Sequence, residues 1–277
     1  MRLVTYTHGD ATAIGVRRDG GVVPVGYSDL VELMLDGERG LERAREAAER
    51  GEAFEPERVL APIPRPGKIL CSGINYASHK QENPDAVFTD EPFFFSKLPS
   101  AVIGPGEPIV IPRAETQTDY EVELALVIGR TATRVSEAEA LGHVFGYTVL
   151  NDVSARDIQF KDSQITLGKG VDTFSPLGPE LVTADEIPDP QALHVSSYLN
   201  GEQMQSSPGS DMIFSPARLL EFLTAIVTLY PGDVVSTGTP AGVGAFRKPP
   251  VWMQPGDEIT VEVDLIGRLT NPVVAGW

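Results

Sequence analysis

Basic residues are scarce in this chain. Over 277 residues, 22 Lys plus Arg stand against 39 Asp plus Glu, a formal charge of -17. Both signs are mixed along the chain rather than gathered in a tail. Neither nucleic acid nor an anionic membrane is therefore expected as a principal partner, since each needs a basic face to neutralise phosphates. A small anion is still compatible, because a local Lys, Arg or metal can draw it in. Cysteine is scarcer still: the lone Cys71 excludes an intrachain disulfide, and its setting in Ile69-Leu70-Cys71-Ser72-Gly73 reads as a strand end with a packing role. No apolar run approaches the roughly 18 residues of a membrane helix, and Met1 to Asp10 lacks the apolar core of a signal peptide. The default expectation is a cytoplasmic location. No internal repeat of fixed period is visible.

With 42% hydrophobic residues, the chain can build one large core or a large core with a small appendage. Residues 1 to 27 read as a small β meander turning at Asp19-Gly20-Gly21, followed by helical patterns near Asp29 to Leu35 and Gly40 to Arg50. Pro56, Pro62, Pro64 and Pro66 then interrupt regular structure. The expected division is a small α+β domain over 1-62 and a larger one over 63-277. In the larger part strands dominate: 68–72, 101–102, 109–111, 120–128, 144–150, 179–182, 194–199, 234–236 and 258–263. Helices are fewer, one opening at the Ser136/Glu139 capping box and one at Ser215-Pro216, running to about Val227. The fold class is mostly β (α+β).

Acidic residues sit where core is expected. In Asp119-Tyr120-Glu121-Val122-Glu123-Leu124-Ala125-Leu126-Val127, alternation places Glu121 and Glu123 on one face with Ala125 and Val127. At about 7 Å and an effective dielectric of about 20, their repulsion is on the order of 2 to 3 kcal/mol before desolvation. A proton, a basic partner or a divalent cation should offset it. Asp119 shares the face but lies at the exposed start of the strand, outside the expected ligand set. Asp152, ending the strand Gly146 to Leu150, could complete a three-oxygen face that leaves three positions on an octahedral Mg²⁺ or Mn²⁺ for water and a chelating substrate. The competing reading makes Asp152 an N-cap and puts the Glu pair on a solvated edge.

Three further segments carry chemistry. In Gly73-Ile74-Asn75-Tyr76-Ala77-Ser78-His79-Lys80-Gln81-Glu82-Asn83-Pro84, Asn75 can cap a short helix closed by Pro84, with His79 and Glu82 three apart on one face. A carboxylate that orients an imidazole makes a general base; the alternative is an exposed helical pair. Of the four histidines only His79 has such a neighbour. In Gly168-Lys169-Gly170, a loop reading lets a ligand approach the backbone while the ammonium stabilises a developing enolate, against the reading of a solvated lysine. Ser236-Thr237-Gly238-Thr239-Pro240-Ala241-Gly242-Val243-Gly244 lacks the lysine of a P-loop, but its amides and the Thr239 hydroxyl could hold an anionic group.

Taken in order, Gly73 to His79, Asp119 to Leu124, Asn151 to Gln159, Gly168 to Phe174, Ser210 to Phe214 and Thr237 to Gly244 resemble the fumarylacetoacetate hydrolase family, over about residues 63 to 275. The resemblance implies a mixed β-sandwich roll, usually a homodimer, with Mg²⁺ (Mn²⁺ or Ca²⁺ as substitutes) held by Glu121, Glu123 and Asp152. It further implies a His79–Glu82 dyad on a mobile lid and catalytic or substrate-facing roles for Lys169, Arg156, Gln159, Thr239 and the Gly238 backbone. Similar members often carry Thr where this chain has Gly209. The leading expectation is hydrolysis of a carbon-carbon bond in a 2,4-dioxo acid by water that His79 activates. The alternatives are an isomerase or tautomerase of a 2-hydroxy-dienedioate, or an oxaloacetate-type decarboxylase, on the same metal site. A metal-binding protein without catalysis is the reading from another class. The lid segment Asn83 to Glu91 shows no carboxylate clamp, and Arg113 is the candidate for one.

Overall fold

The computed structural model describes residues 1–82, 90–113, 116–161 and 163–276. Strands dominate, as the alternation requires, and they form two principal sheets. The larger has the path Gly21–Pro24, Ala11–Arg18, Arg2–His8, Ser175–Thr183, Val144–Asn151, Val122–Ile128, Val234–Ser236, Ile69–Ser72, Phe94–Lys97. Val234–Ser236 and Ile69–Ser72 run parallel; the other pairs along this path are antiparallel. The second sheet orders Glu202–Pro208, His194–Leu199, Glu258–Val263, Gly267–Ala275 and Ile109–Ile111.

Val122–Ile128 is buried at every position because it has a core on each side. Leu124, Leu126 and Ile128 pack in the cluster that includes Val195, Val261 and Leu269 of the second sheet. Ala125 and Val127 pack in a second cluster with Leu3, Ile14, Leu30 and Leu33. The amino-terminal residues thus contribute the far wall of that second core. They also lengthen the large sheet, since Leu3 pairs with Leu181.

Local chemistry explains the helices. Asp29 accepts from the Val31 amide at the head of Leu30–Leu35, the Ser136/Glu139 capping box opens Glu137–Ala140, and Ser215 accepts from the Arg218 amide ahead of Pro216–Thr224. That last helix stops at Thr224, short of the expected Val227. Residue 101 belongs to a 3₁₀ turn, Pro99–Ala101, and the strand expected there is Val102–Ile103. Phe94–Lys97, Glu202–Pro208 and Gly267–Ala275 are strands without an expectation behind them. The middle one is polar along its length and the last contains Pro272, so propensity argues against both, and cross-strand pairing prevails.

Candidate active site

The hairpin of Val122–Ile128 and Val144–Asn151 pairs Val122 with Asn151, so Glu121 and Asp152 leave the sheet side by side. The Asp152 amide donates to the Glu121 carbonyl at 2.9 Å, and the Glu121 amide donates to Asn151 Oδ1 at 3.1 Å. Glu121, Glu123 and Asp152 are all buried. Asp119 is fully buried as well, which corrects its expected place at an exposed strand start. Thr118–Asp119 pairs with Ser154–Ala155, and the Gly244 and Ala245 amides close over the carboxylate.

Three buried cations answer these four acids. Lys169 Nζ donates to Glu121 Oε2 and Asp152 Oδ2, both at 2.7 Å. Arg156 donates through Nε to Asp119 at 2.9 Å and through Nη2 to Glu121 at 2.5 Å. The third is Lys97, which sequence reasoning missed. Its ammonium, without solvent exposure, donates to Asp152 Oδ1 at 2.6 Å and to the Val153 carbonyl at 3.0 Å. A single lysine inside Phe93-Phe94-Phe95-Ser96-Lys97-Leu98 was the available signal, because a charge in an apolar strand needs a buried partner. Both oxygens of Asp152 bind lysine ammoniums, so it is no N-cap.

The two glutamates differ. Burial alone would raise Glu121, but the charges of Lys169 and Arg156 outweigh it and hold the carboxyl well below the usual range. Burial also raises Glu123, and there the repulsion from Asp152 and Glu121 adds to it, leaving its carboxyl well above the usual range. Its donors are neutral, the Ser236 hydroxyl and the Gly238 amide. Glu123 and Asp152 each offer an oxygen, and Cys71 its sulfur, within 4.8 Å of one another. Hard oxygen donors, one of them offset only by neutral groups, suit a divalent cation, so this buried group could hold a metal ion.

On the opposite wall His79 and Glu82 meet as the spacing requires, Nδ1 to Oε1 at 2.6 Å. The other Glu82 oxygen accepts from the Gly242 amide at 2.9 Å, so the dyad is anchored to the glycine-rich turn. Asn75 does not cap the Ala77–Glu82 helix; its amide nitrogen donates to the Phe214 and Thr237 carbonyls. Asp211 caps from a distance, accepting from the Ser78 amide and hydroxyl. Of the lid segment expected over Asn83 to Glu91, residues 83 to 89, Pro84 among them, lie outside the described residues. The Thr239 hydroxyl donates to the Val122 carbonyl at 2.9 Å and accepts from Gln205 at 2.8 Å.

Between the walls is a cavity of ≈ 240 Å³ whose lining includes His79, Glu121, Glu123, Arg156, Gln159, Lys169 and Thr239. Gly238 borders this group through the hydrogen bond that its backbone amide donates to Glu123. Phe93, Phe95 and Phe246 add apolar wall, with Lys169 Nζ 5.1 Å from the Phe95 ring centre and the Phe246 ring 5.9 Å from His79. Lys169 ends a short helix, Thr166–Lys169, rather than lying in a loop. Its glycine neighbours serve packing: a Cβ on Gly168 would meet Gln159 at 2.7 Å, and one on Gly170 would meet Leu98 at 2.7 Å. Gly209 has carbonyls of Gln191 and Leu193 within about 3 Å of where a Cβ would stand, which bars a threonine. Arg113 is exposed and is not among the described residues that line the cavity.

Comparison with known proteins bears on the family and the fold. The profile of the fumarylacetoacetate (FAA) hydrolase C-terminal family matches residues 68–274. The mitochondrial oxaloacetate tautomerase FAHD2A of Bos taurus is 43% identical over 99% of this chain and 92% of its own length. The oxaloacetate tautomerase YisK of Bacillus subtilis is 41% identical over 88% of this chain and 86% of its own. Among solved structures, the fumarylacetoacetate hydrolase of Exiguobacterium antarcticum superposes with a TM-score of 0.88 at 37% identity, covering 99% of both chains. The 2-hydroxyhepta-2,4-diene-1,7-dioate isomerase of Mycobacterium marinum gives 0.77 at 33% identity, over 99% of this chain and 98% of that one. A profile match over three quarters of the residues, with a relative 43% identical over 99% of the chain, makes the chain a member of the fumarylacetoacetate hydrolase family of enzymes.

Proposed function

We propose that the protein is a tautomerase that moves a proton between the keto and enol forms of a small 2-oxodicarboxylate of oxaloacetate type. The carrying observation is the near full-length likeness to relatives named oxaloacetate tautomerase. The site chemistry supports it. Tautomerisation needs one base that carries a proton between a carbon and the oxygen two bonds away, plus cations that stabilise an enolate, and His79 and Lys169 in the cavity lining are residues of those types.

A divalent cation, Mg²⁺ by preference, held by Glu121, Glu123 and Asp152, would supply Lewis acidity to the 2-oxo function. With the Nδ1 proton donated to Glu82, His79 Nε2 keeps its lone pair. It takes a proton from C3 of the keto acid and returns it to the C2 oxygen, so the proton count is unchanged. Lys169 steadies the negative charge that develops at that oxygen. Gln159 donates its amide hydrogens to a substrate carboxylate. Arg156 adds the Nη1 hydrogen left over from its bond to the Gln159 oxygen. Phe93, Phe95 and Phe246 limit water in the cavity.

The test follows the ultraviolet absorbance of enol-oxaloacetate with Mn²⁺-loaded protein. Accelerated approach to the keto-enol equilibrium at conserved mass is expected. Unaccelerated exchange, together with release of pyruvate and a carboxylic acid from an acylpyruvate, would overturn the proposal in favour of hydrolysis, the reading that the likeness to the Exiguobacterium enzyme supports.

A further inference from the structure

Asp119 holds a carboxylate at the centre of the site without facing the cavity. Its Oδ1 accepts from the Tyr120 amide at 2.9 Å and the Gly244 amide at 2.7 Å. Its Oδ2 accepts from the Ala245 amide at 3.0 Å, from Arg156 Nε at 2.9 Å, and lies 2.8 Å from Arg156 Nη2. Four N–H donors, two on each oxygen, use up the acceptor capacity of the carboxylate, so nothing remains for a metal or a substrate. The approach is built in: a Cβ on Gly244 would meet Asp119 Oδ1 at 2.6 Å and the Val251 carbonyl at 1.9 Å.

What Asp119 grips determines what the cavity presents. Arg156, fixed by Asp119 on one edge and Glu121 on another, donates through Nη1 to Gln159 Oε1 at 2.9 Å. That bond settles the polarity of the Gln159 amide. Its oxygen is occupied, so its nitrogen is the end left for a ligand, and a ligand there must accept hydrogen bonds. In the other direction, the Gly244–Ala245 amides that Asp119 holds begin the turn Gly244–Phe246, whose aromatic ring stands beside His79.

We infer that Asp119 is a positioning residue, acting through Arg156 to aim the Gln159 amide nitrogen at the substrate carboxylate. This rests on the reading of Gln159 as a carboxylate contact. The test is a double-mutant cycle on the Mn²⁺-loaded protein, with oxalate affinity measured by calorimetry and fold checked by circular dichroism. In the wild-type background Gln159→Ala should weaken oxalate about tenfold, the scale of a hydrogen bond to a charged group. In the Asp119→Asn background, where the guanidinium loses its anchor, the same change should cost less than about twofold. Equal factors in the two backgrounds would overturn the inference. If Asp119→Asn does not fold, Arg156→Met breaks the chain one link later, and additivity with Gln159→Ala there overturns it equally. Absence of oxaloacetate exchange alongside a non-additive cycle would remove the tautomerase reading and leave the relay standing.

Discussion

Replacing Lys97 with Met keeps the length of the side chain and removes the charge that Asp152 Oδ1 accepts from. The pair has no solvent exposure on either side, so Asp152 is left with the Lys169 ammonium alone, which it shares with Glu121, and one of its buried oxygens loses its partner. A loss of roughly 3 to 5 kcal/mol is expected, measured by denaturant unfolding of wild type and Lys97→Met side by side. Glu123→Gln should behave in the opposite way. Burial and its acidic neighbours already disfavour the ionised form, and glutamine can still accept from Ser236 and Gly238. Thermal stability should hardly change while metal-dependent turnover is abolished; full activity in that variant would refute the ligand assignment. For His79→Asn, kcat should drop by about 10² to 10⁴, the usual worth of a general base, with Mn²⁺ affinity unaffected.

At the scale of elements, the short helices Arg156–Gln159 and Thr166–Lys169 are locked by a missing side chain. Gly168→Ala would drive a methyl against the Gln159 backbone and Cβ, each 2.7 Å away. A fall in kcat/KM of at least about tenfold is expected, larger than the accompanying loss of stability, because Gln159 and Lys169 shift together. Steady-state kinetics beside a melting curve separates the two effects. The same packing shows what a sequence can and cannot display. Glu121 and Glu123 were legible since a period of two is local, and His79 with Glu82 since a helical spacing of three is local too. Asp119 looked exposed because the groups that bury it come from Ser154–Ala155 and from Gly244 and Ala245, far along the chain. That the acids gather in one place was legible, whereas the full set of cations beside them was not: Lys97 reaches Asp152 across 55 residues. Polar Glu202–Pro208 hid as a strand for a related reason, although its Gln205 braces Thr239 and the Val122 amide.

For the molecule as a whole the formal charge is -17, and within the site four buried acids stand against three cations, with Glu123 disfavouring its ionised form until a ligand of positive charge joins it. Titrating chelator-treated protein with Mn²⁺ should raise Tm by roughly 5 to 10 °C at a hundredfold excess over Kd, since binding to the folded state alone contributes about 2.7 kcal/mol. An unchanged Tm would show that the cluster is complete without metal. The large sheet has a different consequence, for biosynthesis. Arg2–His8 pairs with Ser175–Thr183, and Arg2 donates to Glu180 across 178 residues. A ribosome adding about 5 to 20 residues per second delivers that partner on the order of 10 to 40 s after the first strand is made. During that interval Arg58–Val59 can cover the Tyr6–Thr7 end of the first strand, but its Arg2–Leu3 end has no sheet to join, so nascent chains are most open to capture by chaperones, or by one another, before the middle of the sequence has emerged.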